Sequence, residues 1–364
     1  MDIIEQRVGV PPHIAGPAAT FAFFAFFLIK KMGLFTNTNH FPVEGKTILI
    51  TGASEGMGLA AAILLAKKGA SLILVSRNVG RLEEALVKVT AAARSPSKQR
   101  FTYISADVSE PNYAESVIAQ AIAWNAGAAP DIVWCIAGLS SPMLWADPAN
   151  DSIAATRRNM DVNFFGSAEM SRAILKEWLA PENKPKDTGV IGQKPEPKHI
   201  VFTASMLALF AIVGYGPYTP SKWALRGLAD TLNMELRMYP DHPVKIHVVY
   251  PGTITSPGLE RENKTKPQIT LELEKEEPAE SPETVAERAL KGLEKGQYNV
   301  TVSTLGDLMR CGILGGSERN NWVWDTVVGW VVPVIYFFVI RIMNAQVAGW
   351  ARVNGHPHVK KAAA

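Results

Sequence analysis

The sequence has few cysteines and no recognisable metal-ligand pattern. Only Cys135 and Cys311 occur among its 364 residues, which excludes a disulfide-stabilised scaffold and a cysteine-rich metal site. The seven histidines are scattered without HExxH-like spacing, so we expect no metal. The formal net charge is only +3, and no run rich in Lys and Arg contains interleaved aromatic residues. We therefore expect no nucleic-acid partner.

Charge is also missing from a run near the N-terminus. Residues 14–29, IAGPAATFAFFAFFLI, are uncharged and are followed directly by Lys30 and Lys31. The run is slightly shorter than the ~20 residues of a spanning helix. It lacks the small-residue cleavage site of a signal peptide, and a buried helix is rarely apolar on every face. We predict a membrane anchor, and the two lysines favour a cytoplasmic location for the catalytic part of the chain.

A second uncharged run, 326–340, lies near the other end of the chain. Trp322 and Trp324 precede it, as is typical of a membrane interface. The run is short and contains Pro333, so a tilted, kinked or re-entrant segment is as consistent with it as a simple span. A buried helix that closes a pocket or a dimer contact is the alternative.

Between these ends, short apolar runs alternate with helical patterns. Nearly continuous apolar strands separated by helices are typical of a parallel sheet that helices cover on both faces. The pattern predicts an α/β fold with a doubly wound parallel sheet, the Rossmann fold. The apolar runs are 46–51, 71–76, 101–106, 131–137, 199–205 and 244–250.

We divide the chain into an anchor and linker (1–44), a catalytic domain (45–303) and a membrane-associated C-terminal segment (304–364). Two insertions interrupt the middle part. Residues 181–199 are rich in Pro, Lys and Gly and predict an exposed loop. Residues 257–283 are long, charged and contain several prolines, which predicts a functional lid or a disordered segment.

A glycine-rich turn, TGASEGMG at 51–58, follows the first predicted strand and opens the first predicted helix. Glycines let the backbone turn tightly and approach a pyrophosphate, whose charge the helix N-terminus stabilises. The second strand then ends with Ser76 and Arg77, where an NAD site usually has an acidic residue. Because an arginine there can bind a 2′-phosphate, the sequence favours NADPH. Asp107, after the third strand, is a candidate for the adenine amino group or for a helix N-cap.

A tyrosine and a lysine stand four residues apart in YTPSK, at the predicted start of a helix. This spacing places Tyr218 and Lys222 on one helix face, and Ser205 ends a predicted strand shortly before them. A phenol with its ordinary pKa transfers protons poorly at neutral pH, and a neighbouring ammonium is expected to lower that pKa. We therefore expect these three side chains to share one catalytic site.

Five motifs in order resemble the short-chain dehydrogenase/reductase family: TGASEGMG, DVNFFG, the serine at 205, YTPSK and PGTIT. The resemblance covers about 45–303. It implies that Tyr218 is the general acid, that Lys222 also binds the nicotinamide ribose, that Ser205 holds the substrate carbonyl and that Asn163 supports a water relay to Lys222. One motif departs from the family, because NNAG reads CIAG (135–138) here.

The turn and the resemblance together predict a set of cofactor contacts around the carboxyl ends of the strands. The predicted contacts are Gly52, Ser54, Glu55, Gly56, Gly58, Ser76, Arg77, Asn78, Arg81, Asp107, Val108, Ala137, Gly138, Tyr218, Lys222, Pro251, Gly252, Thr253, Ile254 and Thr255.

Within the family, TSPGLERENKTKP (255–267) and the helix SKWALRGLADTLNMEL resemble the membrane reductases of sphingoid-base synthesis. That resemblance implies hydride delivery from NADPH to the C3 carbonyl of a long-chain 2-amino-3-keto alcohol. It also implies a location in the endoplasmic reticulum membrane with the catalytic domain facing the cytoplasm. Contact with membrane lipid is expected, as is a homo-oligomer formed through 151–179 and 218–239. The alternatives are a membrane reductase acting on a 3-ketoacyl-CoA, a retinoid or a steroid, and a non-catalytic dinucleotide-binding scaffold.

Overall fold

The computed structural model describes residues 38–183, 195–275 and 279–355. The predicted N-terminal anchor at 14–29 lies outside the described residues, as does most of the insertion at 181–199. The predicted division into three segments is therefore not tested over its full length.

In the described part of the chain, seven parallel strands form one sheet in the order β3-β2-β1-β4-β5-β6-β7. The order reverses between β1 and β4, so the chain winds outward in both directions from the middle of the sheet. The doubly wound α/β fold predicted from the sequence is confirmed. The strands are β1 Thr47–Thr51, β2 Ser71–Ser76, β3 Phe101–Ser105, β4 Ile132–Cys135, β5 Lys198–Thr203, β6 Val244–Tyr250 and β7 Asn299–Thr301.

Helices connect the strands and cover both faces of the sheet. In chain order they are α1 Gly56–Lys67, α2 Val79–Ala91, α3 Tyr113–Trp124, α4 Ser152–Asn159, α5 Gly166–Trp178, α6 Thr219–Glu235, α7 Pro257–Asn263, α8 Gln268–Glu274, α9 Pro282–Glu294, α10 Thr304–Gly312 and α11 Trp322–Asn354. A single π-helical turn, Met160–Phe165, joins α4 to α5.

The core consists of two apolar clusters, one on each side of the sheet. Apolar residues of α1, α2 and α9 pack on one face, and those of α3, α5 and α6 pack on the other. All five residues of β1 are buried because this strand lies inside the sheet with helices on both sides. This burial explains why the strand sequences are almost continuously apolar rather than alternating.

The insertion at 257–283 differs from the predicted loop, because its first part folds into α7 and α8. Ser256 accepts a hydrogen bond from Leu259 N and so caps α7, and a proline follows it at the first helical position. The charged composition reflects the exposed faces of these short helices. Residues 276–278 lie outside the described part of the chain.

The C-terminal apolar run belongs to a much longer element than the sequence predicts. Helix α11 has 33 residues and continues through Pro333. Within Trp322–Asn354 only Asp325 and Val332 are buried, so most of the helix is exposed in the single chain. Its most apolar stretch has a mean hydropathy of 2.0 and is 6% buried. Among the described residues, this is the one helix long and apolar enough to cross a membrane.

Candidate active site

A large cleft of about 850 Å³ opens where the strands end. It is lined by residues that directly follow four neighbouring strands, including Gly52 after β1, Ile136 after β4, Ala204 after β5 and Pro251 after β6. Ligands of doubly wound sheets bind at this edge, on either side of the point where the strand order reverses. The cleft is therefore the candidate active site.

The glycine-rich turn forms one end of the cleft, and two of its glycines are required by close backbone contacts. Gly52 has φ +71°, and a Cβ there would lie 2.7 Å from the backbone of Ala137. A Cβ on Gly58 would lie 2.0 Å from the carbonyl oxygen of Gly52. Gly56 begins α1, so the backbone N–H groups of this helix start at the cleft. This is the arrangement that binds a pyrophosphate, as the sequence predicts.

Glu55 is engaged by two arginines from separate elements. It accepts from Arg81 of α2 at 2.7 Å and also pairs with Arg261 of α7. The packing of α7 near the glycine turn is visible as well at Gly56, where an added Cβ would lie 3.5 Å from Ser256 Cβ. The first part of the predicted lid therefore lies beside the glycine turn.

Arg77 stands at the end of β2 with 69% of its side chain exposed. Its guanidinium lies 3.3 Å from Asp107, and Asp107 also accepts from the backbone and hydroxyl of Ser109. Asp107 thus stabilises the turn at residues 107–109. It is not a helix N-cap, because α3 begins only at Tyr113 and Asn112 precedes it. Beneath Arg77, the hydroxyls of Ser54 and Ser76 lie 2.9 Å apart.

Three of the four predicted catalytic residues line the cleft together. Ser205 follows β5, Tyr218 directly precedes α6, and Lys222 lies in the first turns of that helix. Ser205 lies close enough to Tyr218 for its side chain to lower the pKa of the phenol. The Lys222 ammonium lies 5.8 Å from the centre of the Tyr218 ring.

Burial determines the protonation of this pair. It raises the pKa of the Tyr218 phenol above its ordinary value, and the hydrogen bond from Ser205 offsets only part of that rise. Burial also lowers the pKa of Lys222 to about 8. The expected lowering of the phenol pKa by Lys222 is not seen, since desolvation is the largest influence on the phenol. The Lys222 ammonium instead donates to Thr203 O at 2.9 Å. The phenol thus stays protonated at neutral pH, which is the form that donates a proton.

Asn163 lies in the π-helical turn and is completely buried. Its side chain accepts from Leu139 N and donates to Leu139 O and to the Ser221 hydroxyl, each at 2.9 Å. Together with Thr51 Oγ1, which accepts from the backbone after β4, Asn163 braces the segment that reads CIAG. These contacts hold the loop without the missing asparagines of the motif.

The cleft brings together most of the predicted cofactor contacts, but not all of them. All the predicted cofactor contacts lie in the described part of the chain. Those that do not line the cleft are Asn78, Arg81 and Thr255. Asn78 instead caps α2 by accepting from Arg81 N at 2.9 Å. Thr255 N donates to Glu280 O at 2.9 Å. Thr255 thus pairs with the segment before α9 and does not line the cleft.

A buried polar cluster next to Tyr218 was not identified from the sequence. The Tyr215 hydroxyl lies 2.7 Å from Glu262 and 2.6 Å from Glu274, and Lys266 lies 3.1 and 2.6 Å from the same two carboxylates. The rings of Tyr215 and Tyr218 are 6.0 Å apart. The charged composition of 257–283 does not reveal this cluster, because only the folding of α7 and α8 brings these two glutamates against Tyr215.

Comparison with known families gives a match over most of this domain. The model of the short chain dehydrogenase family matches residues 46–267, which include the glycine turn, Ser205, Tyr218 and Lys222. The chain belongs to the short-chain dehydrogenase family. It is thus an oxidoreductase, and the family resemblance predicted from the five motifs is confirmed.

Two curated relatives match this short-chain dehydrogenase over nearly its full length. A 3-ketodihydrosphingosine reductase of Neurospora crassa is 69% identical over 339 residues, which cover 93% of this chain and 91% of the relative. A 3-ketodihydrosphingosine reductase of Aspergillus fumigatus is 39% identical over 359 residues, which cover 95% of each chain. The narrower resemblance drawn from residues 255–267 and from the helix that holds Lys222 is confirmed.

Solved structures of the family have the same fold. A short chain dehydrogenase from Burkholderia cenocepacia in complex with NADP aligns with a TM-score of 0.54 and 20% identity, covering 75% of this chain and 94% of that one. A short-chain type dehydrogenase/reductase from Mycobacterium ulcerans aligns with a TM-score of 0.57 and 21% identity, covering 71% and 88%.

Proposed function

We propose that the chain reduces 3-ketodihydrosphingosine to dihydrosphingosine with NADPH. The observation that carries this proposal is the meeting of Ser205, Tyr218 and Lys222 in one cleft of a chain that is 69% identical to a reductase of that name.

NADPH fits the residues at the glycine-turn end of the cleft. Positions Gly52 and Gly58 leave no room for a Cβ, and α1 begins beside them. The exposed Arg77 is the cation for a 2′-phosphate. Its ion pair with Asp107 is weak, since it is long at 3.3 Å and screened by solvent, so the guanidinium is available to bind the phosphate. When bound there, the nicotinamide supplies the hydride.

The chain's own residues provide the proton and the orientation. Ser205 and Tyr218 are neighbours in the cleft, so a ketone oxygen bound between them can accept from both hydroxyls. The phenol of Tyr218 gives its proton to this oxygen, and burial keeps that proton in place until the carbonyl accepts it. Lys222 is fixed by Thr203 O in the same cleft, where its ammonium is available to the ribose hydroxyls.

The cluster around Tyr215 supports an amino ketone over a 3-ketoacyl-CoA. Glu262 and Glu274 carry two negative charges, and Lys266 supplies one positive charge. The cluster therefore has an excess of one carboxylate next to Tyr218. A substrate ammonium would be attracted to it, whereas the phosphates of coenzyme A would be repelled.

The membrane setting is argued from the C-terminal helix. The exposed apolar faces of α11 support association with a bilayer, and the predicted N-terminal anchor adds a second attachment. We propose that the protein is held in the endoplasmic reticulum membrane with its catalytic domain in the cytoplasm. Exposed apolar residues at Ile153, Phe165, Trp223 and Met234 support a homo-oligomer formed through α4 to α6.

The purified enzyme should be compared on three ketones with NADPH as the reductant. We expect the highest kcat/KM for 3-ketodihydrosphingosine, ahead of a 3-ketoacyl-CoA and a ketosteroid. The opposite order would overturn the proposed substrate while leaving the reductase chemistry intact.

A further inference from the structure

One wall of the cleft is apolar. It is formed in part by α10, the helix that packs against the C-terminal helix α11. Leu305 and Met309, one helical turn apart on α10, both line the cleft, as does Phe210 after β5. Leu305 is 50% exposed, although it stands beside a catalytic cleft. At the start of α10, the Ser303 hydroxyl contacts the sulfur of Met206, the residue after Ser205. This wall therefore begins at the reaction centre.

Helix α11 supports this wall from behind through a single aromatic residue. The Tyr336 hydroxyl donates to the carbonyl oxygen of Met309 at 3.0 Å, and its ring lies 5.8 Å from that of Phe210. Gly312 permits the close contact, since a Cβ there would lie 2.6 Å from Val332 and 2.9 Å from Tyr336. The cleft wall and the apolar helix are thus one packed unit.

Polar contacts fix the position of α11 relative to the catalytic helix. Arg310 of α10 forms a two-pronged ion pair with Asp325 of α11, at 2.6 and 2.9 Å, and both side chains are buried. Arg226, on the same helix as Lys222, donates to the carbonyl oxygens of Ile313 and Leu314 in the connecting segment. These contacts join α11 to α10, and the segment between them to the helix that holds Lys222.

One stretch of α11 packs on α10, and the same stretch also exposes apolar side chains. Contacts with α10 extend from Asp325 to Tyr336, about 16 Å along the helix axis. Trp330, Val331 and Val334 lie within this stretch and are 74%, 54% and 60% exposed. These exposed side chains therefore lie on the same stretch of α11 that contacts Met309 of the cleft wall.

We propose that Phe210, Leu305 and Met309, backed by Tyr336, form the surface that holds the hydrocarbon chain of the substrate, and that the cleft opens through it to the lipid around α11. The inference rests on the proposed function and deepens it by naming the tail site. A single long alkyl chain then passes from the bilayer along this wall while its keto group reaches Ser205 and Tyr218. The chain never has to cross water, which would cost free energy for every exposed methylene.

The test is a chain-length comparison with the full-length protein in lipid vesicles. The measured quantity is the ratio of kcat/KM for long-chain 3-ketodihydrosphingosine to that for a short, water-soluble 2-amino-3-ketone. Leu305→Glu places a charge on the wall, and we expect it to lower this ratio at least about tenfold, because several methylenes lose their apolar contact. Leu308→Glu is the matched control. Leu308 lies on the same helix and is 42% exposed, but does not line the cleft, so the ratio should stay at the wild-type value.

An unchanged ratio in Leu305→Glu would overturn the inference, as would an equal fall in Leu308→Glu. NADPH binding and melting temperature, measured on both variants, separate an effect on the wall from misfolding. Met309→Gln, a milder change at the same wall, should lower the ratio in the same direction if Leu305→Glu does not fold. If the wild type reduces neither amino ketone, the proposed function fails. The same ratio, measured on long and short ketones without the amino group, then still tests whether the wall binds the hydrocarbon chain.

Discussion

The ammonium of Lys222 lies 2.9 Å from the carbonyl oxygen of Thr203, the last residue of β5. This bond ties the catalytic helix α6 to the strand that leads to Ser205. Lys222 is only 3% exposed, and its contact with a backbone carbonyl replaces some of the hydration that burial removes. The position of the lysine is thus determined by the sheet as well as by its helical spacing from Tyr218.

The pKa of Lys222 makes NADPH binding depend on pH. Because burial lowers this pKa to about 8, the side chain loses its charge as the pH rises from about 7 to about 9. We expect the Kd for NADPH to rise by up to about tenfold over that range. Fluorescence titration of the wild type and of Lys222→Met checks this. The variant should bind more weakly at pH 7 and show little further change, and an equal pH dependence in both proteins would contradict the assignment.

Arg77 should determine the choice between the two nicotinamide cofactors. Arg77→Ala removes the cation proposed for the 2′-phosphate, so the KM for NADPH should rise roughly 10- to 100-fold while that for NADH changes little. Steady-state kinetics with both cofactors measures this selectivity. Arg94→Ala is the matched control, since Arg94 is also exposed and paired with a carboxylate, that of Glu44. Equal losses with NADH and NADPH would show that Arg77 does not contact the phosphate.

The stacked pair His199 and His247 should make the fold sensitive to acid. His247 Nδ1 donates to Gln297 O, so its Nε2 accepts from His199 Nδ1 at 3.0 Å, and this arrangement requires a neutral His247 ring. Burial lowers the pKa of His247 to about 4 and that of His199 to about 2. The unfolded chain therefore takes up protons first, and the free energy of unfolding falls as the pH drops below about 6.5, by about 1.4 kcal/mol per pH unit for each histidine.

Denaturant unfolding in detergent between about pH 7 and about pH 5 measures this slope. His199→Gln keeps a hydrogen-bond donor but removes one titrating group, so its slope should be smaller by about one proton. His40→Gln, at an exposed histidine, should retain the wild-type slope. A slope that is the same in all three proteins would mean that the buried pair does not control acid stability.

The sequence was most informative where a function needs a local pattern. Helical spacing sufficed to place Tyr218 over Lys222, and the glycines of the first turn were identifiable because only they fit beside Ala137 and Gly52 O. Apolar runs predicted the first six strands to within a few residues. The seventh, Asn299–Thr301, is only three residues long and was not predicted.

Long-range contacts could not be derived in this way. Nothing in the spacing of Tyr215, Glu262 and Glu274 shows that they meet, since their contact depends on how α7 and α8 fold. The π-helical turn that positions Asn163 interrupts an otherwise ordinary helical pattern. The net effect of burial on the Tyr218 phenol was also missed, because the sequence shows the neighbouring cation but not the loss of solvent.

The central claim is that this chain reduces 3-ketodihydrosphingosine through the proton of Tyr218. The most direct test measures turnover of that ketone by membranes containing either the wild type or Tyr218→Phe, together with the Kd of each protein for NADPH. Turnover should fall at least about 1,000-fold in the variant, while the Kd stays close to the wild-type value, because only the proton donor is lost. Substantial turnover by Tyr218→Phe, or no reduction of this ketone by the wild type, would contradict the account.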